Sequence, residues 1–158
     1  MKLLISACVF GQNVRWNGKN KTNREIQEWA SKLGLELVPV CPEHELFNTP
    51  RKPIRYEERE GEARAIMGKE DVTEKLEAKA SEIRRRYKEV VGFIGIAKSP
   101  TCSHSAGIRK AGRFIKAPMH KDAPFPTAEI NSLMTPRARM EFLNRIVKHI
   151  TFQNTRDS

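Results

Sequence analysis

Three short apolar runs, separated by stretches of helical periodicity, limit what this chain can fold into. Lys2–Ala7, Leu35–Val40 and Val90–Ala97 are of strand length and dominated by apolar residues, the pattern of strands buried on both faces. Between them the spacing changes to the helical period. A capping box predicted at Thr22 and Glu25 precedes Ile26, Trp29, Ala30 and Leu33, and Gly34 supplies a stop. Asp71 with Glu74 opens a second helix, with Val72, Leu76, Ala80, Ile83 and Tyr87 as its stripe. Thr135 and Pro136 open a third, bearing Met140, Leu143, Val147 and Ile150. Strand alternating with helix predicts an α/β fold: a small, mostly parallel sheet flanked by helices, Rossmann-like, with its active site at the C-terminal ends of the strands.

At 158 residues there is room for one domain with a real core, so residues 1–158 are expected to form a single unit on which the basic segment 103–158 packs. Apolar residues make up 39% and charged residues 30%, which excludes a disordered or membrane-embedded chain. The longest apolar run, Val90–Ala97, is far short of a membrane span, and no membrane partner is expected. The N-terminus lacks an extended basic region and a small-residue cleavage site. It reads as a buried first strand rather than a signal peptide, and the expected location is cytoplasmic.

The net charge of +10 is unevenly placed. Residues 1–97 hold 18 Lys/Arg against 15 Asp/Glu, whereas residues 98–158 hold 11 against 4. A surface of this kind attracts anions, nucleic acid among them, and it also serves solubility. Two segments, 42–69 and 103–133, are too long for simple connections and are expected to contain function or further structure. The first, rich in Pro, Arg and Glu, is expected to fold over the site edge.

The three cysteines each stand at or just after the end of a predicted strand, so Cys8, Cys41 and Cys102 converge on one crevice. An odd number spaced more than thirty residues apart is no disulfide framework, and no C-x-x-C pair marks a zinc ribbon. Three thiolates can hold zinc with an open position, or an iron–sulfur cluster with one iron lacking a protein ligand. Alternatively one cysteine is a nucleophile with His44 or His104 as its base. Glu43, two residues after Cys41, shares the crevice and is a candidate proton donor or base. Ser99, three before Cys102, is a candidate for relaying or donating a proton.

These residues sit in strings that occur in a particular order: Ile5-Ser6-Ala7-Cys8, Arg15-Trp16-Asn17-Gly18, Pro39-Val40-Cys41-Pro42-Glu43, Thr49-Pro50-Arg51 and Lys98-Ser99-Pro100-Thr101-Cys102. Together the set resembles the thiouracil desulfurase family over roughly residues 3–110. Gly61-Glu62-Ala63-Arg64 and Asp71-Val72-Thr73 also look like its pattern. The resemblance implies a [4Fe-4S] cluster held by Cys8, Cys41 and Cys102, with sulfur removed from a thiolated pyrimidine without net redox change. It implies that the free iron takes the substrate sulfur, with Glu43 and Ser99 assisting. Arg15, Asn17, Arg51 and Arg64 are polar loop residues that can equally hydrogen-bond pyrimidine oxygens or serve structure.

Two features depart from the family pattern. Ser103-His104-Ser105 stands where many relatives have glycine, so His104 is a local addition. The segment from Pro126–Asn131 through Asn144-Arg145 is similar to the tail of relatives acting on thiouridine in transfer RNA, which usually carry a second domain for which this chain has no room. The expected function is therefore desulfuration of free 2-thiouracil to uracil and sulfide. Desulfuration of thiouridine in tRNA is the alternative, and a basic RNA-binding module with a structural metal site is the alternative of another class.

Overall fold

The structure is a computed structural model describing residues 1–105, 107, 109–110 (backbone only) and 113–157. Strand β1 (Lys2–Ser6) runs into a one-turn helix, α1 (Ala7–Phe10), and α2 (Arg24–Lys32) leads to β2 (Glu36–Val40). Helix α3 (Pro42–Phe47) is followed by a hairpin of β3 (Ile54–Arg59) and β4 (Glu62–Met67), to which the short β5 (Glu70–Asp71) adds. Helix α4 (Thr73–Arg86) then gives way to β6 (Val90–Gly95), and a two-residue ladder pairs β7 (Arg109–Lys110) with β8 (Arg113–Phe114). Strand β9 (Thr127–Glu129), a 3₁₀ turn over Ile130–Leu133 and the long α5 (Pro136–Arg156) complete the chain.

Four strands form one parallel sheet in the order β2-β1-β6-β9. Side chains of β1 alternate between its two faces. Leu3 and Ile5 pack with Ile26 and Ala30 of α2 and with Phe142 and Ile146 of α5. Leu4 packs on the other face with Ala80 and Ile83 of α4. Leu3, Leu4 and Ile5 are fully buried, and each such side chain stabilises the fold by roughly 1.5–3 kcal/mol. The chain leaves β1 toward β2 and returns to the other side of β1 as β6, so the strand order reverses there. In open α/β sheets that reversal opens a crevice outside the strand ends, where ligands bind.

Several local expectations need correction. Ala7 belongs to α1, not to the first strand. Helix α2 is capped by Asn23, whose Oδ1 accepts from the Ile26 amide at 3.0 Å, and not by Thr22. The Asn20 side chain occupies Thr22 by accepting from both its amide and its hydroxyl. Asp71 sits in β5, and its Oδ1 accepts from the amide and hydroxyl of Thr73, the first residue of α4. Thr135 does cap α5, accepting from the Ala138 amide at 3.1 Å. Of its predicted stripe Leu143 and Ile150 pack partly against the core, but its fully buried residues are Phe142 and Ile146, while Met140 and Val147 are 57% and 52% exposed. Arg139 turns the helix this way by donating to the Leu133 carbonyl and pairing with Glu25 of α2.

Both long predicted connections contain structure. In the first, the β3–β4 turn at Glu60 and Gly61, both at positive φ, gives a tight two-residue hairpin. Tyr56 of β3 donates its hydroxyl to the Pro100 carbonyl at 2.9 Å, which ties the hairpin to the loop after β6. In the second, β9 adds the fourth parallel strand. Among the described residues no helix is long and apolar enough to cross a membrane.

The loop after β6 folds back onto the strand it leaves. The Ile96 amide donates to the Cys102 carbonyl at 3.0 Å, directly over Gly95. A Cβ at Gly95 would lie 1.9 Å from that carbonyl oxygen and 2.6 Å from Nε2 of His120. The nearest obstacle is backbone and cannot rotate away. Gly95→Ala should therefore cost about 3 kcal/mol or more in urea denaturation. A variant as stable as the wild type would show that the loop closes without this contact.

Candidate functional site

The ends of β1, β2 and β6 deliver three cysteines to one cavity of about 450 Å³. Cys8 lies in α1, Cys41 is the N-cap of α3, and Cys102 lies in the loop after β6. All three are free thiols, Cys102 buried and the other two partly so. Burial pushes the Cys41 thiol up to about 11 and the Cys102 thiol up to about 12. It raises Cys8 too, against the pull of the nearby Arg15 guanidinium. Without a metal, all three are therefore neutral at pH 7. Cys41 accepts from the His44 amide at 3.4 Å and donates to the Val14 carbonyl at 3.9 Å.

The cavity is strongly cationic. Arg15, Lys21, Arg51, Lys52 and Lys98 line it, and Glu43 is the one acid among its described lining residues. Burial raises the proton affinity of the Glu43 carboxyl, while Arg51 and Arg15 oppose that shift. The guanidinium of Arg51, 4% exposed, holds Glu43 Oε2 at 3.0 Å with one nitrogen. With the other it donates to the Val14 and Asn48 carbonyls and to Thr49 Oγ1. Arg51 thus fixes the carboxylate and the loop around Val14 together. Its bonds go to protein, which matches the structural one of the two roles open to it from sequence.

Ser99 closes the turn that presents Cys102. Its Oγ accepts from the Cys102 amide at 3.0 Å and the Thr101 amide at 3.3 Å. Its hydroxyl also lies 3.5 Å from Thr101 Oγ1, and Ser99 lines the cavity.

The other residues read from sequence fall elsewhere. Asn17 turns its side chain to the Lys19 amide and is not among the lining residues. Arg64 is held by Asp71 and Glu74, away from the cavity, and supports the β4–α4 junction. His44 Nδ1 lies 2.7 Å from Thr49 Oγ1, and His104 meets Glu129 and Thr127. Neither histidine lines the cavity, so neither is placed as base to a nucleophilic cysteine. Arg15 does line it, and its guanidinium has no hydrogen-bond partner among the described residues.

Some lining residues were not read from sequence. Ser6 is a hydroxyl inside an apolar run, which is a legible signal; Trp16, 45% exposed, stands in one of the ordered strings. Lys98 adopts φ 63°, a left-handed conformation that no local motif announces. Behind the site, His120 is 3% exposed, and its Nε2 donates to the Cys102 carbonyl at 2.8 Å.

This donor set fits an iron–sulfur cluster. Three unpaired thiols ring a cavity lined by several cations, where thiolates formed on metal binding are offset by positive charge. Thiolates on one tetrahedral zinc lie roughly 3.8 Å apart. Among the described residues no three His, Cys, Asp or Glu side chains are grouped tightly enough for a single ion.

The 2-thiouracil desulfurase family profile matches residues 3–123, a span that contains all three cysteines, Glu43 and Ser99. A solved structure of a [4Fe-4S]-dependent thiouracil desulfidase, TudS, has a TM-score of 0.67 and 18% sequence identity. The match covers 89% of this chain and 96% of that one, and it shows the fold. No curated protein matches the sequence.

Two measurements check this geometry. Arg51→Met strips the buried Glu43 of its partner and should cost roughly 3–5 kcal/mol in urea denaturation of the cluster-free chain; a loss under 1 kcal/mol would mean that the pair is hydrated. Burial also holds His120 neutral, its pKa pushed down from 6.5 to about 3. Between those values the unfolded chain binds the proton and the folded chain does not, so stability falls as pH drops through that window. Denaturation midpoints of the cluster-free protein should decline from pH 6.5 downward, and less steeply in His120→Gln. Equal slopes would show that His120 is charged in the folded chain.

Proposed function

The chain belongs to the 2-thiouracil desulfurase family, and on that premise we propose that it converts a thiolated pyrimidine, 2-thiouracil, to uracil and sulfide using a [4Fe-4S] cluster. The observation that supports this reading best is the convergence of three free thiols and one buried carboxylate on a single cavity. Cys8, Cys41 and Cys102 would hold the cluster and leave one iron without a protein ligand. When bound, the cluster supplies a Lewis-acidic iron for the soft thiocarbonyl sulfur.

The chain's own groups do the rest. The reaction exchanges sulfur for the oxygen of water and moves no electrons, so it needs a base for water and a donor for the ring. Glu43, anchored by Arg51 and raised in proton affinity by burial, accepts a proton from the attacking water and returns it to the departing sulfide. Ser99 turns its hydroxyl to hydrogen-bond the pyrimidine as charge develops on the ring, keeping its proton. Arg15 and Lys98 stabilise that charge and draw anionic species into the cavity.

A second reading, thiouridine in tRNA as substrate, draws on the excess of 11 Lys/Arg over 4 Asp/Glu in residues 98–158. Anaerobic enzyme should remove the thiocarbonyl absorbance of 2-thiouracil and release sulfide. Glu43→Gln and Ser99→Ala should each lower kcat by about 10²–10⁴ with the cluster retained. Turnover of thiolated tRNA but not of 2-thiouracil would favour the second reading, and cluster-loaded protein inert toward both would overturn both.

A further inference from the structure

Ser6 has no task in the scheme above, yet its position is unusual. It ends β1, and the alternation along that strand puts it on the face of Leu4, where Cys102 also packs. It is 2% exposed and lines the cavity. Its Oγ is one of two buried side-chain polar atoms without a hydrogen-bond partner among the described residues, the other being Nδ1 of His120. The neighbouring hydroxyls are all engaged: Ser99 with two amides, Thr101 with Cys102 Sγ at 3.6 Å, and Ser103 with the Ser99 carbonyl.

A buried hydroxyl without a partner destabilises the fold that contains it, and nothing in the packing of β1 asks for one. Leu4 and Ile5 beside it are wholly buried, and alanine would fill the same place. The acceptor that shares this face and this cavity is the Cys102 sulfur. A neutral thiol is a weak acceptor and offers a buried hydroxyl little. A metal-bound thiolate is a charged one, and hydrogen bonds to it are correspondingly strong.

We propose that Ser6 is the hydrogen-bond donor to the Cys102 thiolate once the cysteines hold their cluster, a donor left unpartnered until that charge appears. The inference rests on the reading of this cavity as a cluster site. Ser6 thereby acts in the way that groups behind metal ligands generally do, holding a ligand sulfur and tuning the cluster's retention.

The test uses the full chain with Ser6→Ala and Ser6→Thr, each cluster-free and reconstituted anaerobically. Cluster-free Ser6→Ala should melt at or above the wild type, because it has lost only an unpartnered hydroxyl. Under chelator challenge, its cluster absorbance should decay at least about tenfold faster than that of the wild type. Ser6→Thr, which keeps the hydroxyl, should decay at close to the wild-type rate. Decay of Ser6→Ala at the wild-type rate, equal acceleration in both variants, or a cluster-free Ser6→Ala melting well below the wild type would overturn the proposal. A wild-type chain that takes up no cluster would overturn the cluster reading itself.

Discussion

The parallel pairing of β1 with β2 on one side and β6 on the other aligns everything else at the site. Ser6 pairs with Val40 and Ile5 with Ile94, so the three strands end level. Their continuations, which carry Cys8, Cys41 and Cys102, emerge at one edge from segments more than thirty residues apart in sequence. The backbone ladder is stiff and its register leaves little freedom, because a one-residue slip would exchange the side chains that β1 packs against α2 and α5 with those it packs against α4. The cysteines are therefore positioned by hydrogen bonds that involve none of their side chains. Gly95 adds the last constraint, allowing the Cys102 carbonyl to rest directly on the strand end.

Around that edge the electrostatics are one-sided. Burial keeps the thiols protonated, and the cations that line the cavity leave Glu43 as its one acid among the described residues. Such a pocket suits a guest that brings its own negative charge on binding. The cost of burying Glu43 is offset by Arg51, whose remaining bonds clamp the Val14 and Thr49 segments. One guanidinium thus links the carboxylate, the wall near Cys41 and the loop after α3.

The sheet was legible because β1 and β6 are buried on both faces and read as continuous apolar runs, with the cysteines placed at or after the strand ends. What escaped has physical causes. Strand β9 has three residues, and its pairing with β6 is decided by tertiary packing. The rotation of α5 about its axis is set by Arg139 reaching Glu25, a contact across 114 residues that no periodicity reveals. Thr22 and Asn23 are both good caps, and Asn20 decides between them. At the site, the convergence of Glu43, Ser99 and the cysteines followed from topology alone. Whether an arginine faces a ligand or a carboxylate did not: Arg51 and Arg64 look alike in sequence, yet one lines the cavity while binding protein groups and the other braces the hairpin.

The central claim is that three cysteines hold one cluster at this edge. Iron and acid-labile sulfide analysis of the anaerobically reconstituted chain, compared with its three single Cys→Ala variants, tests it most directly. The account predicts about four irons and four sulfides per chain in the wild type, and loss of that content in Cys8→Ala, Cys41→Ala and Cys102→Ala alike. A wild-type chain that stays metal-free, or a cysteine variant that keeps its full iron content, would contradict it.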